Sequence, residues 1–484
     1  MKTIIVAVLS NYLITAAHAI DILDCEGKAT YNLQSGLLTL PFVNFEGNSV
    51  SASLNLISGS NPIQFSLRNL TDTQQTEWPN SRPCHSEQNL SFGDTILSIP
   101  VLTLDKEKLN FRVELSYLPE TGNFRLNNVQ PIQLARLEPL FGSYFGVNLD
   151  WGVDTVAGIT EKLGFSPNVF VHFTHFPLVE PWTGWLDEAV VQIKDQNSGA
   201  ILLLTLEPHD GLKSSITADA LDVLKQRLQV YNDLGVPVLV RFAHEMNGSW
   251  YPWGQQPQAY IEAFRAVANV VHQTTKSAML WAPNYGGDYP YSGGQYQSTP
   301  DLLDFSLLDT NKDGKLDQKD DPYAPYYPGD DVVDWVGVSL YHWGNLYPWY
   351  ENEISDNNKF VSQLTGRFIG DGGDNEQSTP NFYYLYSESK NKPFAITETA
   401  ALYLPNESDS SPELERLVKQ LWWRQIFSPE VNQIFPNIKM VNWFEWRKSE
   451  SELGGKIVNW RITGNEALTE SFVEDLRRSY FGFY

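Results

Sequence analysis

Val236-Pro237-Val238-Leu239-Val240-Arg241-Phe242-Ala243-His244-Glu245-Met246-Asn247-Gly248-Ser249-Trp250-Tyr251-Pro252-Trp253-Gly254 is the stretch on which the reading of this chain turns. Its first part is an apolar, β-branched run, the pattern of a strand buried on both faces. Its second part places an imidazole, a carboxylate and an amide at the strand's tip, with two indoles just beyond. Packing alone has no use for a charge there, because burying it unpaired is costly. Polysaccharide chemistry uses this set: a carboxyl group for proton transfer, hydrogen-bonding groups for hydroxyls, and flat aromatic faces for sugar rings. The competing reading is a salt-bridged strand end beside core tryptophans.

A second carboxylate strengthens the chemical reading. Lys392-Pro393-Phe394-Ala395-Ile396-Thr397-Glu398-Thr399-Ala400 is another short apolar strand that delivers a glutamate at its C-terminal end. Glycoside hydrolysis normally needs two carboxyl groups flanking the scissile bond, one as acid and the other as nucleophile or base. Glu245 and Glu398, on strands several units apart, supply that pair.

From about residue 135 apolar strands alternate with amphipathic helical stretches, the signature of parallel α/β architecture. Candidate strands are 141–147, 168–173, 200–206, 236–243, 277–283, 333–341, 393–398 and 438–445, with helical stretches such as 153–163, 217–234, 257–275 and 412–426 between them. Such a series predicts an α/β fold of the (β/α)8 TIM-barrel type over residues 131–484, whose active site lies at the C-terminal strand ends. Residues 20–130 instead alternate in period two, as in Ser49-Val50-Ser51-Ala52-Ser53-Leu54-Asn55-Leu56 and Phe111-Arg112-Val113-Glu114-Leu115-Ser116-Tyr117-Leu118. That predicts a small all-β, sandwich-like accessory domain, either a carbohydrate-binding module or a structural cap.

With these motifs in hand, the chain resembles glycoside hydrolase family 26, whose best-known members are endo-β-1,4-mannanases. The resemblance rests on His-Glu-Met-Asn-Gly-Ser-Trp-Tyr-Pro-Trp-Gly at 244–254 and Ile-Thr-Glu-Thr at 396–399, and extends over roughly residues 135–484. It implies that Glu245 is the general acid/base and Glu398 the nucleophile of a retaining double displacement. It also matches Tyr341 to a tyrosine within hydrogen-bond reach of the nucleophile. His244 is then expected to steady the acid/base or bind a sugar hydroxyl. Trp250, Trp343 and Trp446 are expected sugar platforms, Arg447 and His175 further substrate contacts. The family also includes enzymes acting on mixed-linkage β-glucan and on β-1,3-xylan, so the mannan reading competes with these. A third reading is a non-catalytic glycan-binding barrel. Long insertions at 285–330 and 345–390 depart from the family pattern and could close one end of a cleft.

Charge and composition narrow the partners. A net charge of −24 disfavours nucleic acid and anionic membranes. Fifteen tryptophans and 23 tyrosines suit a neutral β-linked polysaccharide, although cores also consume aromatics. Residues 1–19, an apolar run ending Ala17-His18-Ala19, read as a secretory signal, so the chain is expected to be exported, soluble and monomeric. In that setting Cys25 and Cys84, the two cysteines, are expected to pair.

Asp309-Thr310-Asn311-Lys312-Asp313-Gly314-Lys315-Leu316-Asp317-Gln318-Lys319-Asp320 is EF-hand-like. Its oxygen ligands fall at alternate positions, with glycine at the sharp turn. A structural Ca2+ is expected on Asp309, Asn311, Asp313, Asp317, Asp320 and the backbone of Lys315, with no metal or other cofactor for catalysis.

Overall fold

The computed structural model describes residues 29–32, 34–45, 48–60, 62–72, 88–91, 96–104, 110–118, 120–131, 134–139, 142–345, 347–370 and 377–479. The expected signal at 1–19 and the Cys25–Cys84 pair lie outside them. The chain divides into two compact units around residues 134–143.

The first unit is all β. Its strands are β1 (Ala29–Asn32), β2 (Leu37–Phe45), β3 (Asn48–Leu56), β4 (Gln64–Asp72), β5 (Gln88–Ser91), β6 (Ile96–Leu104), β7 (Asn110–Leu118) and β8 (Asn123–Pro131). They form one sheet in the order β1-β2-β3-β4-β8-β7-β6-β5, and its ends meet through β1–β6 and β2–β5 pairings. Period-two patterning selects the buried face: Ala52 and Leu54 on β3, and Phe111, Val113 and Leu115 on β7, join one apolar cluster. The intervening Ser53, Asn55, Glu114 and Ser116 are not buried.

The second unit is the barrel. Strands β9 (Tyr144–Leu149), β10 (Val169–His175), β11 (Ile201–Glu207), β12 (Val238–Phe242), β13 (Ser277–Trp281), β14 (Trp335–Ser339), β15 (Phe394–Thr399) and β16 (Ile438–Glu445) close in chain order, β16 pairing back onto β9. All pairings are parallel, which the near-continuous apolar runs require, since both strand faces are covered. Observed strand limits fall within a few residues of those read from the sequence. The first strand begins and ends later than expected, and 236–243 shortens to β12 because the backbone turns at Ala243 (φ 46).

Helices α1 (Val156–Leu163), α2 (Trp182–Asp195), α3 (Ala218–Asp233), α4 (Pro257–Val271), α5 (Pro412–Ile426) and α6 (Glu466–Arg478) alternate with these strands. Their starts follow local chemistry. Thr155, Thr217, Ser411 and Asn465 each accept a backbone N–H with the side chain, satisfying a donor the helix leaves orphaned.

Barrel closure makes a steric demand at Gly146 of β9. A Cβ there would meet Asn442 Oδ1 at 2.0 Å and Val169 Cβ at 2.7 Å, so the two neighbouring strands occupy the space. Gly146→Ala is therefore expected to lower stability by about 1–3 kcal/mol in denaturant titration. Gly152→Ala, where the nearest atom lies at an ordinary 3.4 Å, should be close to neutral. Equal losses from both would remove the closure argument.

Candidate active site

Three strand ends bring the two carboxylates together. Glu245 lies in the turn after β12 with its backbone in the left-handed region (φ 54), and its N–H donates to Ala282 O at 3.0 Å. Such a φ is rare for a residue with a side chain and concentrates at functional turns. Glu398 is the penultimate residue of β15, where pairing with β14 slips so that Ser339 faces Glu398 rather than Thr397. A bulge of this kind re-aims the side chains beside it. Both glutamates face one cleft of about 1170 Å³.

Glu398 is held at both oxygens. Arg241, fully buried on β12, places Nη2 2.6 Å from Oε1, and the Tyr341 hydroxyl donates to Oε2 at 2.7 Å. Arg241 Nε in turn donates to Thr205 Oγ1 on β11 at 2.9 Å. Glu245 is different. Burial and the charge of Glu398 push its pKa up to about 7, against smaller opposing effects of Ser339, Arg241 and the Trp250 indole. Trp250 Nε1 donates to Glu245 Oε2 at 3.2 Å, a bond made only if the ring folds back over Gly248. A Cβ on Gly248 would meet that ring at 2.5 Å. One carboxyl group is thus ready to carry a proton near neutrality, and its neighbour is clamped.

His244 lines the cleft and is buried; burial first, then Arg241 and His209, push its pKa well below the usual imidazole range. It is therefore neutral, and its Nδ1 has no protein hydrogen-bond partner, so a ligand hydroxyl can satisfy it. Asn247, fully buried, exchanges two 2.8 Å bonds with the backbone of Asn284, which also leaves no room for a glycan on the Asn247-Gly248-Ser249 sequon.

Trp250, Tyr341, Trp343 and Trp446 all line the cleft, whereas His175 and Arg447 do not. The His175 ring stacks on Trp182 of α2 at 6.1 Å and reaches Asp210 at 3.8 Å. Arg447 begins β17 (Arg447–Glu450), which pairs with β18 (Lys456–Asn459), and is exposed there. A position near a strand end does not say which way a side chain turns.

The residues missed from sequence are instructive. Arg241 carried a signal, a guanidinium inside an otherwise apolar strand, which must have a buried partner. Tyr251, Tyr291, Tyr347, Trp349 and Trp460 also wall the cleft. Tyr251 belongs to the 244–254 motif, whereas the other four come from connecting segments and carried no comparable signal.

The 309–320 loop folds on itself. Asp309 Oδ2 accepts from Gly314 N at 2.9 Å, Asp320 Oδ1 from Thr310 N at 2.7 Å and Asp320 Oδ2 from Asp317 N at 2.9 Å, with Gly314 at φ 84. Asp309 and Asp320 are buried, but among the described residues no three His, Cys, Asp or Glu side chains converge as a metal cage. The far end of the loop, Leu316 to Lys319, lines the cleft.

Residues 166–290, which span β12 and the His244-Glu245 turn, match the profile of glycosyl hydrolase family 26. A stretch of 161 residues is 26% identical to Endoglucanase H of Acetivibrio thermocellus, covering 32% of this chain and 15% of that protein. Another of 134 residues is 28% identical to Mannan endo-1,4-beta-mannosidase A and B of Caldalkalibacillus mannanilyticus, covering 26% of this chain and 20% of that protein. The matched segments thus span a fifth or less of these curated relatives. Among solved structures, a Bacillus subtilis mannanase aligns over 70% of this chain and 86% of its own, at 16% identity and TM-score 0.38.

The hydrogen bond from Trp250 favours the charged form of Glu245, so Trp250→Phe should raise the Glu245 pKa further above about 7. Removing the repelling charge with Glu398→Gln should lower it. A pH titration of the carboxyl stretch by difference infrared spectroscopy, referenced to Glu245→Gln, reads both; shifts of the opposite sign would overturn the assigned causes.

Proposed function

We propose that this chain, whose residues 166–290 match glycosyl hydrolase family 26, is an exported, retaining endo-β-glycosidase acting on β-1,4-mannan-type polysaccharides. The observation that carries the reading is the unlike pair in the cleft: a Glu245 carboxyl raised to about 7 beside a Glu398 clamped by Arg241 and Tyr341. A carboxyl group raised toward neutrality, beside a second one held by an ion pair and a hydroxyl, suits glycoside cleavage by acid and nucleophile.

In this mechanism Glu398 attacks the anomeric carbon while Glu245 gives its proton to the departing glycosidic oxygen, leaving a glycosyl-enzyme ester. Glu245, now a carboxylate, takes a proton from water, whose oxygen displaces Glu398 and restores both groups. Neutral His244 offers its unpartnered Nδ1 to a sugar hydroxyl. Trp250, Trp343 and Trp446 line the cleft, and indole faces suit the C–H faces of pyranoses. The same machinery serves a mixed-linkage β-glucan or β-1,3-xylan, and the two relatives, one named an endoglucanase and the other a mannan endo-1,4-beta-mannosidase, differ in this respect.

Reducing-end assays on galactomannan, glucomannan, barley β-glucan, β-1,3-xylan and alginate test this. Cleavage of the mannans is expected, falling about 10²–10⁴-fold in Glu245→Ala. In Glu398→Ala turnover should vanish while glycan binding persists. Cleavage of a different polymer moves the substrate and keeps the mechanism. Binding without cleavage by the intact protein would make it a glycan-binding barrel.

Calcium is part of the same proposal, as a structural ion. The all-oxygen donor set of Asp309, Asn311, Asp313, Asp317, Asp320 and the Lys315 carbonyl suits a hard cation, and the N–H contacts of Asp309 and Asp320 hold the loop in a turn that could receive one. Calcium at a hundred times its Kd should stabilise the folded protein by about 2.7 kcal/mol, read as a rise in Tm that EDTA reverses. Asp309→Ala should abolish the calcium-dependent part of the shift. A Tm indifferent to both reagents would remove the ion from the account.

A further inference from the structure

We propose that Trp349 and Tyr347 form a distal sugar subsite that extends the cleft, giving the protein a preference for long β-linked chains. The inference rests on the glycan-cleaving reading of the cleft and adds a specificity determinant to it. Starting from Tyr341, which bonds Glu398, aromatic rings run outward in unbroken contact. Trp343 lies 6.3 Å from Tyr341, Trp349 lies 5.6 Å from Trp343, and Tyr347 lies 5.0 Å from Trp349 at 90°. All four line the cleft, and Tyr347 is 48% exposed at the outer end. Trp343 is braced edge-on by Trp460 at 5.0 Å, so the inner part of the row is immobilised.

The outer part is built at a conformational cost. Trp349 has φ 55, a left-handed backbone that a bulky side chain rarely adopts. Strain persists only where surrounding structure over-determines it, and it clusters at ligand sites. Gly344 (φ 154) lies against this indole: a Cβ there would meet Glu353 Oε2 at 2.9 Å and Trp349 Cδ1 at 3.1 Å. The Gly344 carbonyl accepts from the buried ammonium of Lys359 at 2.6 Å. The Glu353 carboxylate accepts from Asn345 N, and its carbonyl is 2.9 Å from His342 Nε2. A loop this firmly fixed, ending in half-exposed rings on a cleft wall, is a preorganised platform rather than a surface connection.

The ligand class follows from the row's composition. Its faces are flat and uncharged, which suits the axial C–H face of an equatorially linked neutral pyranose. Because the row leads away from Glu398, the ring it binds lies beyond the sugars at the point of cleavage. Tyr347 and Trp349 therefore lengthen the wall of the cleft.

The test compares wild type, Trp349→Ala, Trp349→Phe and Gly344→Ala on β-1,4-manno-oligosaccharides of two to six residues. For Trp349→Ala, kcat/KM should fall roughly tenfold on the longest substrates through KM, and stay unchanged on the shortest. Trp349→Phe should recover part of the loss, and Gly344→Ala should reproduce it by crowding the indole. An equal loss at every length, or none at any length, overturns the subsite. If wild type cleaves none of these sugars, it is the substrate assignment that has failed. Affinity electrophoresis in gels of glucomannan and barley β-glucan then decides the subsite: weaker retardation of Trp349→Ala supports it, and unchanged retardation overturns it.

Discussion

The ion pair between Arg241 and Glu398 is the constraint on which the rest of the site depends. A guanidinium with no solvent exposure is tolerable only if its charge is met, and the cost of breaking such a pair is about 3–5 kcal/mol. Here it is met by a carboxylate at 2.6 Å, by Thr205 Oγ1 at 2.9 Å and by the Phe173 ring at 5.1 Å. One side chain of β12 thereby links β10, β11 and β15 inside the barrel. The consequences spread to neighbours: Arg241 also opposes protonation of His244 and tempers the raised pKa of Glu245. The guanidinium that clamps Glu398 thus draws down the Glu245 pKa that burial and the Glu398 charge raise.

Around this pair the 243–254 turn is compact enough that several residues have a steric reason to be what they are. Ala243 and Glu245 take left-handed φ values, Gly248 clears the Trp250 ring, and a Cβ on Gly254 would strike Gly248 O at 2.2 Å. Trp253, fully buried, donates to His244 O at 2.7 Å and so anchors the segment that carries Glu245. Such density explains why one short turn could announce the chemistry. Backbone folding, imidazole placement and indole orientation are all solved within one turn, so they are all written in adjacent residues.

Other parts of the protein were legible to different degrees. Parallel barrel strands were readable because burial on both faces leaves runs such as Ile201-Leu202-Leu203-Leu204 with almost no polar interruption. The β-rich N-terminal unit was readable for the opposite reason, its strict alternation of buried and unburied positions. Helix α2 is not among the helical stretches named from the sequence, and the stack of His175 on Trp182 depends on it. The 309–320 loop was legible as a turn because its hydrogen bonds are local, from Gly314 N to Asp309 and from Thr310 N to Asp320.

What the sequence determined by itself was therefore local or periodic: which segments are barrel strands, where the two glutamates fall on them, and which turn holds an imidazole beside a carboxylate. Only the tertiary structure decided which side chains share the cleft. His175 and Arg447 stand near strand ends yet turn elsewhere, while Trp349 and Trp460, from connecting segments, line it. The physical reason is that a strand's position in a closed barrel follows from hydrogen-bond periodicity and burial, whereas a side chain's direction at the rim depends on contacts with loops distant in sequence. Those contacts, such as Trp460 against Trp343 or Arg241 against Glu398, leave no periodic trace in the order of residues.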